Sequence, residues 1–145
     1  MDISLQPITD DNLRPIMGLD VSAEQQQFVA PNSISIAEAC FADEVWMRGI
    51  FAGDTPVGFV LLSERRSTTR YYLWRFMIDH KHQGRGYGRA AMTQAIDYVR
   101  TLPNATEMFL SYVPAEGGPR DFYAGLGFVD TGREQDGELE MRLAL

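Results

Sequence analysis

His80-Lys81-His82-Gln83-Gly84-Arg85-Gly86-Tyr87-Gly88-Arg89 joins a β-forming run to the longest helical pattern in the chain. The residues before it, Thr68-Thr69-Arg70-Tyr71-Tyr72-Leu73-Trp74-Arg75-Phe76-Met77-Ile78, are too aromatic and β-branched for a comfortable helix and read as a strand. Beyond it Ala90, Ala91, Ala95, Ile96 and Val99 recur at helical spacing up to Pro103, which predicts a helix over about residues 86–102. A strand-to-helix turn of this kind suits an anion. Backbone N–H groups at a helix start lack internal partners and carry the positive end of the helix dipole, and glycines let a phosphate approach without meeting a Cβ. Arg85 and Arg89 add positive charge.

Two phosphate motifs are excluded residue by residue. A P-loop ends in Gly-Lys-[Ser/Thr], whereas Gly88 is followed by Arg89-Ala90. A dinucleotide fingerprint begun at Gly84 needs glycine at position 89, which is Arg89, and begun at Gly86 needs it at position 91, which is Ala91.

Working outward, Ile3, Leu5 and Ile8 give a strand, and Thr9-Asp10-Asp11 is expected to cap a helix through Leu13, Ile16 and Leu19. An irregular connection over residues 25–32 leads to a second helix over residues 33–41. Residues 45–52 and 56–62 form a hairpin about Gly53-Asp54-Thr55, and the run ending at Ile78 adds a third antiparallel strand. Residues 108–113 read as a buried strand, parallel to the one before the long helix because strand, helix, strand implies a right-handed crossover. A short helix over residues 121–126 stops at Gly127, and Phe128-Val129 and residues 139–145 flank Gln135-Asp136-Gly137 as a closing hairpin. The expectation is one α+β domain over residues 1–145, with a mixed, mostly antiparallel sheet flanked by helices.

Composition narrows the function. A chain of 145 residues with 45% hydrophobic and 23% charged residues is that of an ordinary globular domain. No apolar run approaches the ~20 residues of a membrane helix, so no membrane role is expected. The opening Met1-Asp2-Ile3-Ser4-Leu5-Gln6-Pro7 lacks the marks of a secretion signal and Cys40 is the only cysteine, which makes the cytoplasm the expected location. A net charge of -7 argues against nucleic acid as partner; surplus carboxylates can attract cationic small molecules or simply keep the protein soluble. His80 and His82 have no further His or Cys at ligand spacing, so no metal is expected.

Gln83-Gly84-Arg85-Gly86-Tyr87-Gly88 fits Gln/Arg-x-x-Gly-x-Gly/Ala, and in this the chain resembles the GNAT superfamily of N-acetyltransferases. The order of elements along nearly the whole chain resembles that fold too. The resemblance implies acetyl-CoA as cofactor and a splayed parallel strand pair that holds its pantetheine arm. It implies that Phe76, Met77 and Ile78 present backbone groups to the cofactor and that Gln83, Gly84, Arg85, Gly86, Tyr87, Gly88 and Arg89 hold the diphosphate. Phe122-Tyr123-Ala124-Gly125-Leu126-Gly127-Phe128 is similar to the family's Tyr-x-x-x-Gly-Phe element, which makes Tyr123 the expected general acid near the cofactor sulfur, with Phe122 beside it. An amide near Met77 or Ile78 would polarise the thioester carbonyl.

The chain also departs from that pattern. Residues 71–78 carry no carboxylate where many relatives place a glutamate base, which leaves a water chain to Glu24, Glu38 or Glu44, or desolvation of the amine. Glu116 stands where family members often have asparagine.

Gln27-Phe28-Val29-Ala30-Pro31-Asn32-Ser33, Ile36-Ala37-Glu38-Ala39 and Tyr72-Leu73-Trp74-Arg75-Phe76-Met77-Ile78-Asp79 look like bacterial spermine/spermidine acetyltransferases. That implies a small-molecule amine as acceptor, with Glu24, Phe28, Glu38, Tyr72 and Trp74 as its binding residues and Asp20 and Trp46 of suitable type nearby, because carboxylates interleaved with aromatic faces suit a string of ammonium groups. Another amine, such as a peptide amino terminus or an aminoglycoside, and a catalytically silent CoA-binding module are the alternatives. The final hairpin offers a surface for a homodimer.

Overall fold

The computed structural model describes residues 2–145. Its organising element is a strand buried on both faces, β3 (Thr55–Arg65), in which every residue from Val57 to Leu62 is buried. Side chains alternate across a strand, and here Val60 and Leu62 join one core while Phe59 and Leu61 join another. The first core lies under α3 (Tyr87–Arg100), through Ala91, Met92, Ile96 and Val99. The second lies under α1 (Leu13–Met17) and α2 (Asn32–Ala39), through Ile16 and Ala39. Helices therefore cover both faces of the sheet.

β1 (Ile3–Pro7), β2 (Val45–Ala52), β4 (Arg70–Ile78), β5 (Glu107–Tyr112), β6 (Val129–Gln135) and β7 (Glu138–Ala144) complete a sheet of order β1-β2-β3-β4-β5-β7-β6. Every pairing is antiparallel except that of β4 with β5, the pair joined by α3. This is the expected α+β architecture, a mixed, mostly antiparallel sheet flanked by helices.

The parallel pair is short. Only Tyr71, Tyr72 and Leu73 pair with Met108, Phe109 and Leu110, while β4 runs on to Ile78 and β5 to Tyr112 unpaired with each other. Just beyond the last rung β4 holds a bulge: Leu62 faces Leu73 and Leu61 faces Arg75, so Trp74 is an extra residue. A bulge bends its strand and strengthens its twist, and this one sits where β4 turns away from β5. α4 (Arg120–Gly125) follows β5 across the opening.

Three elements differ from expectation. α1 ends at Met17 instead of reaching Leu19, with Gly18 as its C-cap and the Gly18 N–H on the Arg14 carbonyl. Its start is set by Asn12 rather than by Thr9-Asp10-Asp11: the Asn12 carboxamide accepts the Thr9 N–H at 2.8 Å and donates to the Pro7 carbonyl at 3.1 Å. α2 begins at Asn32, directly after Pro31, and Asn32 is buried because its amide donates to the Ile16 carbonyl at 2.9 Å, tying α2 to α1. β6 is a full strand of seven residues, not the two of Phe128-Val129. It is an edge strand exposed at every position, so it carries no apolar alternation to read. Its hairpin with β7 turns on Asp136-Gly137, both at positive φ (52° and 82°) as a type I′ turn demands.

Gly58 shows how closely β3 and β4 approach. A Cβ there would lie 2.4 Å from the Met77 carbonyl oxygen and 2.9 Å from Ile78 Cδ1. Gly58→Ala should therefore destabilise the protein by about 2–3 kcal/mol, the cost of overpacking a rigid backbone contact, read as a lower urea midpoint at unchanged slope.

Candidate cofactor cleft and reaction centre

The V between β4 and β5 opens into a cleft of about 580 Å³. One wall is the end of β4, with Phe76, Met77 and Ile78. The floor is the glycine turn and α3 start, with Gln83, Gly84, Gly86, Tyr87, Gly88 and Arg89. The far wall is the β5–α4 loop and α4, with Gly117, Gly118, Pro119, Phe122 and Tyr123. A strand that has left its neighbour keeps unpaired N–H and C=O groups along that side, which suits an extended, amide-containing chain.

At the turn, Gly84 and Gly86 have φ of 78° and 81°, and a Cβ built at either meets nothing within 4 Å. The turn is thus left-handed at both positions and its inner surface is bare backbone. Gly86 caps α3, whose first backbone bond is from the Ala90 N–H to the Gly86 carbonyl, so the N–H groups of Tyr87, Gly88 and Arg89 precede any helical partner. Gly88 serves packing instead: a Cβ there would touch the Phe122 ring at 3.4 Å. The Arg89 guanidinium donates to the Gly125 carbonyl at 3.4 Å and links α3 to α4 at the cleft. Arg85 is exposed on the outer side of the turn and does not line the cleft.

Across the V an aromatic chain joins the walls. Phe76 stacks on Phe122 at 5.7 Å, Phe122 meets Tyr123 edge-on at 5.4 Å, and Tyr123 meets Phe128 at 6.0 Å. Tyr123 is buried yet lines the cleft, and burial alone pushes its hydroxyl well above the ordinary tyrosine value. Burial thus disfavours the phenolate and keeps the proton on the hydroxyl.

The expected acceptor residues scatter. Phe28 lines the cleft and closes it, its ring lying 3.4 Å from where a Cβ at Gly118 would stand. Tyr72 and Trp74 lie off the cleft, Trp74 against the α1–α2 core and Tyr72 hydrogen-bonded to Ser111. Tyr72 borders a separate polar cavity with Arg70, Arg133, Glu138 and Glu140. Glu38 pairs with Arg75 at 3.5 Å, and Glu24 is exposed on a 3-10 turn over Ala23–Gln25. Glu44 is exposed at the opposite end of the β2–β3 hairpin, its carbonyl bonded to the Glu64 N–H. Trp46 is on the α3 side of the sheet, stacked on Tyr98 at 4.3 Å and away from the cleft. Glu116 is exposed on the β5–α4 loop.

The structure adds residues that the sequence did not single out. Val21, Gln25 and Val29 come over the cleft from the α1–α2 connection, and Gly117-Gly118-Pro119 meets them from the other wall. The glycines and proline mark a tight loop in sequence, whereas nothing local distinguishes Gln25. Among the described residues no group of three or more His, Cys, Asp or Glu is arranged to hold a metal ion, and no helix is long and apolar enough to cross a membrane.

The family model for the acetyltransferase (GNAT) family matches residues 17–128. The chain belongs to this family. It is an acetyl-CoA-dependent N-acetyltransferase. Over 138 residues, 91% of either chain, it is 26% identical to the spermine/spermidine N(1)-acetyltransferase of Bacillus subtilis. Among solved structures it resembles the spermidine N-acetyltransferase of Vibrio cholerae in complex with CoA and spermine, with a TM-score of 0.75, 19% identity and 98% and 95% of the two chains covered. It also resembles the ribosomal-protein-S18-alanine N-acetyltransferase of Escherichia coli, with a TM-score of 0.74, 16% identity and 99% and 94% covered.

The acetyltransferase's cleft fits that cofactor: bare glycine backbone at a helix start for a diphosphate, an unpaired strand edge for an amide-rich arm, and a neutral phenol on the far wall. Gly86→Val puts a β-branched residue where φ is 81° and fills the bare surface, so CoA affinity should fall about 10- to 100-fold by calorimetry.

Proposed function

We propose that this acetyltransferase acetylates a primary amine of a polyamine, with Tyr123 as the general acid. The observation that supports the assignment of Tyr123 is its place on α4, buried and lining the cleft where β4 and β5 part. Acetyl-CoA, when bound, supplies a thioester whose acetyl group is open to attack by an amine. The glycine turn holds the anionic end, the free edge of β4 at Phe76, Met77 and Ile78 orients the arm, and an N–H of that edge supports the carbonyl oxygen. Tyr123 Oη carries the proton that the departing sulfur requires.

No glutamate named as a candidate base lines the cleft, and Glu38 is engaged by Arg75. Phe28, Val29, Phe76, Met77 and Phe122 make an apolar stretch that disfavours an ammonium and promotes loss of its proton, and His82 and Asp121 on the same lining are the ionisable side chains that could receive it. Polyamines are supported by the Bacillus subtilis relative, which spans nearly the whole chain, and by the net charge of -7, which draws polycations toward the surface.

With acetyl-CoA saturating, CoA release should be fastest with spermine or spermidine in a panel that includes simple diamines, an aminoglycoside and a peptide with amino-terminal alanine. Preference for the peptide would move the acceptor class, and a blank panel with intact CoA binding would favour a silent module. Tyr123→Phe should leave CoA affinity within about threefold and lower kcat by about 10²- to 10³-fold; unchanged turnover would remove the general acid. Because burial raises the Tyr123 hydroxyl above the usual value of about 10, its acid form persists there, and kcat should not decline between about pH 8 and pH 10.

A further inference from the structure

The connection between α1 and α2 is bonded to the glycine turn at two places. Asp79, buried at the end of β4, accepts the Asp20 N–H at 2.9 Å and the Lys81 N–H at 3.2 Å, and the His80 N–H returns to the Asp20 carbonyl at 2.9 Å. Five residues on, the carboxamides of Gln25 and Gln83 form a reciprocal pair. Gln25 Nε2 donates to Gln83 Oε1 at 3.1 Å, and Gln83 Nε2 donates to Gln25 Oε1 at 2.9 Å and to the Ile78 carbonyl at 2.9 Å. The first residue of the turn is thus clamped between the end of β4 and the α1–α2 connection.

Gln25 passes the link on. Its carbonyl accepts the Phe28 N–H at 2.9 Å, and Phe28 is the residue whose ring closes on Gly118 over the cleft. A continuous path runs from Gln83 through Gln25 and Phe28 to the opposite wall. The two pairs differ in strength. Asp79 is buried, so its bonds are shielded from water, whereas the amide pair is exposed and competes with water. Such a pair is weak while the turn fluctuates and strengthens once an anion holds the turn still, because the ordering cost is then already met.

We propose that Gln25 is a positioning residue that couples occupancy of the diphosphate turn to the placement of Phe28 over the acetyl end of the cleft. The coupling is reciprocal, so an acceptor that seats against Phe28 tightens the turn by the same factor. The proposal rests on the reading that residues 83–89 hold the diphosphate.

Hydrogen exchange followed by mass spectrometry, with CoA as the probe and activity not required, tests it. In the unmodified protein CoA should slow exchange in residues 83–89 and in residues 22–28. In Gln25→Leu the slowing at 83–89 should remain, while the CoA-dependent slowing at 22–28 falls by about fivefold or more, the scale of a net hydrogen bond. Gln25→Glu alone should keep the bond from Gln83 Nε2 and lose only the return bond to Gln83 Oε1, so its CoA-dependent slowing at 22–28 should fall between that of the unmodified protein and that of Gln25→Leu. Gln25→Glu with Gln83→Arg, which rebuilds the contact as an ion pair, should restore it. The proposal is overturned if Gln25→Leu keeps the CoA effect at 22–28, or if exchange there rises equally with and without CoA, as a merely structural role requires. Absence of slowing at 83–89 in the unmodified protein would instead overturn the cofactor placement on which the proposal stands.

Discussion

β4 and β5 share three rungs and then part. A parallel pair needs a crossover, and the crossover helix must begin just past the end of the first strand. The start of α3, with its unpartnered N–H groups, therefore falls beside the opening of the V. An unpaired strand edge is an unstable feature in water, and here it is tolerated because it is covered: by the α1–α2 connection on one face, by α4 and the β5–α4 loop on the other, and by a ligand that can bond along it. The cleft, the glycine turn at one end of it and Tyr123 on its far wall all follow from the point at which pairing stops.

That point is held rigidly from behind. Val57 to Leu62 of β3 are buried on both faces, and Gly58 brings β3 against Met77 and Ile78 with no room for a methyl group. The bulge at Trp74 lets β4 change direction while it stays paired to β3. From the opposite wall the stack of Phe76 on Phe122, continued by Tyr123 and Phe128, fixes the width of the V. Rigid elements thus supply the geometry, and the loops supply the closure.

What could be read in the sequence was local. The glycine turn, the strand before it and the helix after it were legible because each is a contiguous pattern with its own physical signature, and the element order was legible for the same reason. Tyr123 was legible through the short motif around it, and the structure places it on the cleft wall. Phe28 alone among the expected acceptor residues reaches the cleft, since a loop residue's neighbours are set by tertiary contacts such as that with Gly118, 90 positions away in the chain. Gln25 and Gln83, 58 positions apart, carry no mark of their pairing. Trp46 was misplaced because strand alternation alone does not say which face looks toward α3. β6 escaped because an exposed edge strand has no apolar period.

Charge and burial act on the amine in opposite senses. The surplus of carboxylates gathers cations, but a negative field also favours the protonated, unreactive form. Surface fields are screened within roughly 8–10 Å at physiological salt, whereas transfer into an apolar pocket can lower an amine's pKa by up to about 3–5 units. On the proposed reading desolvation outweighs the surface field over the last ångströms, and the surface charge serves delivery alone.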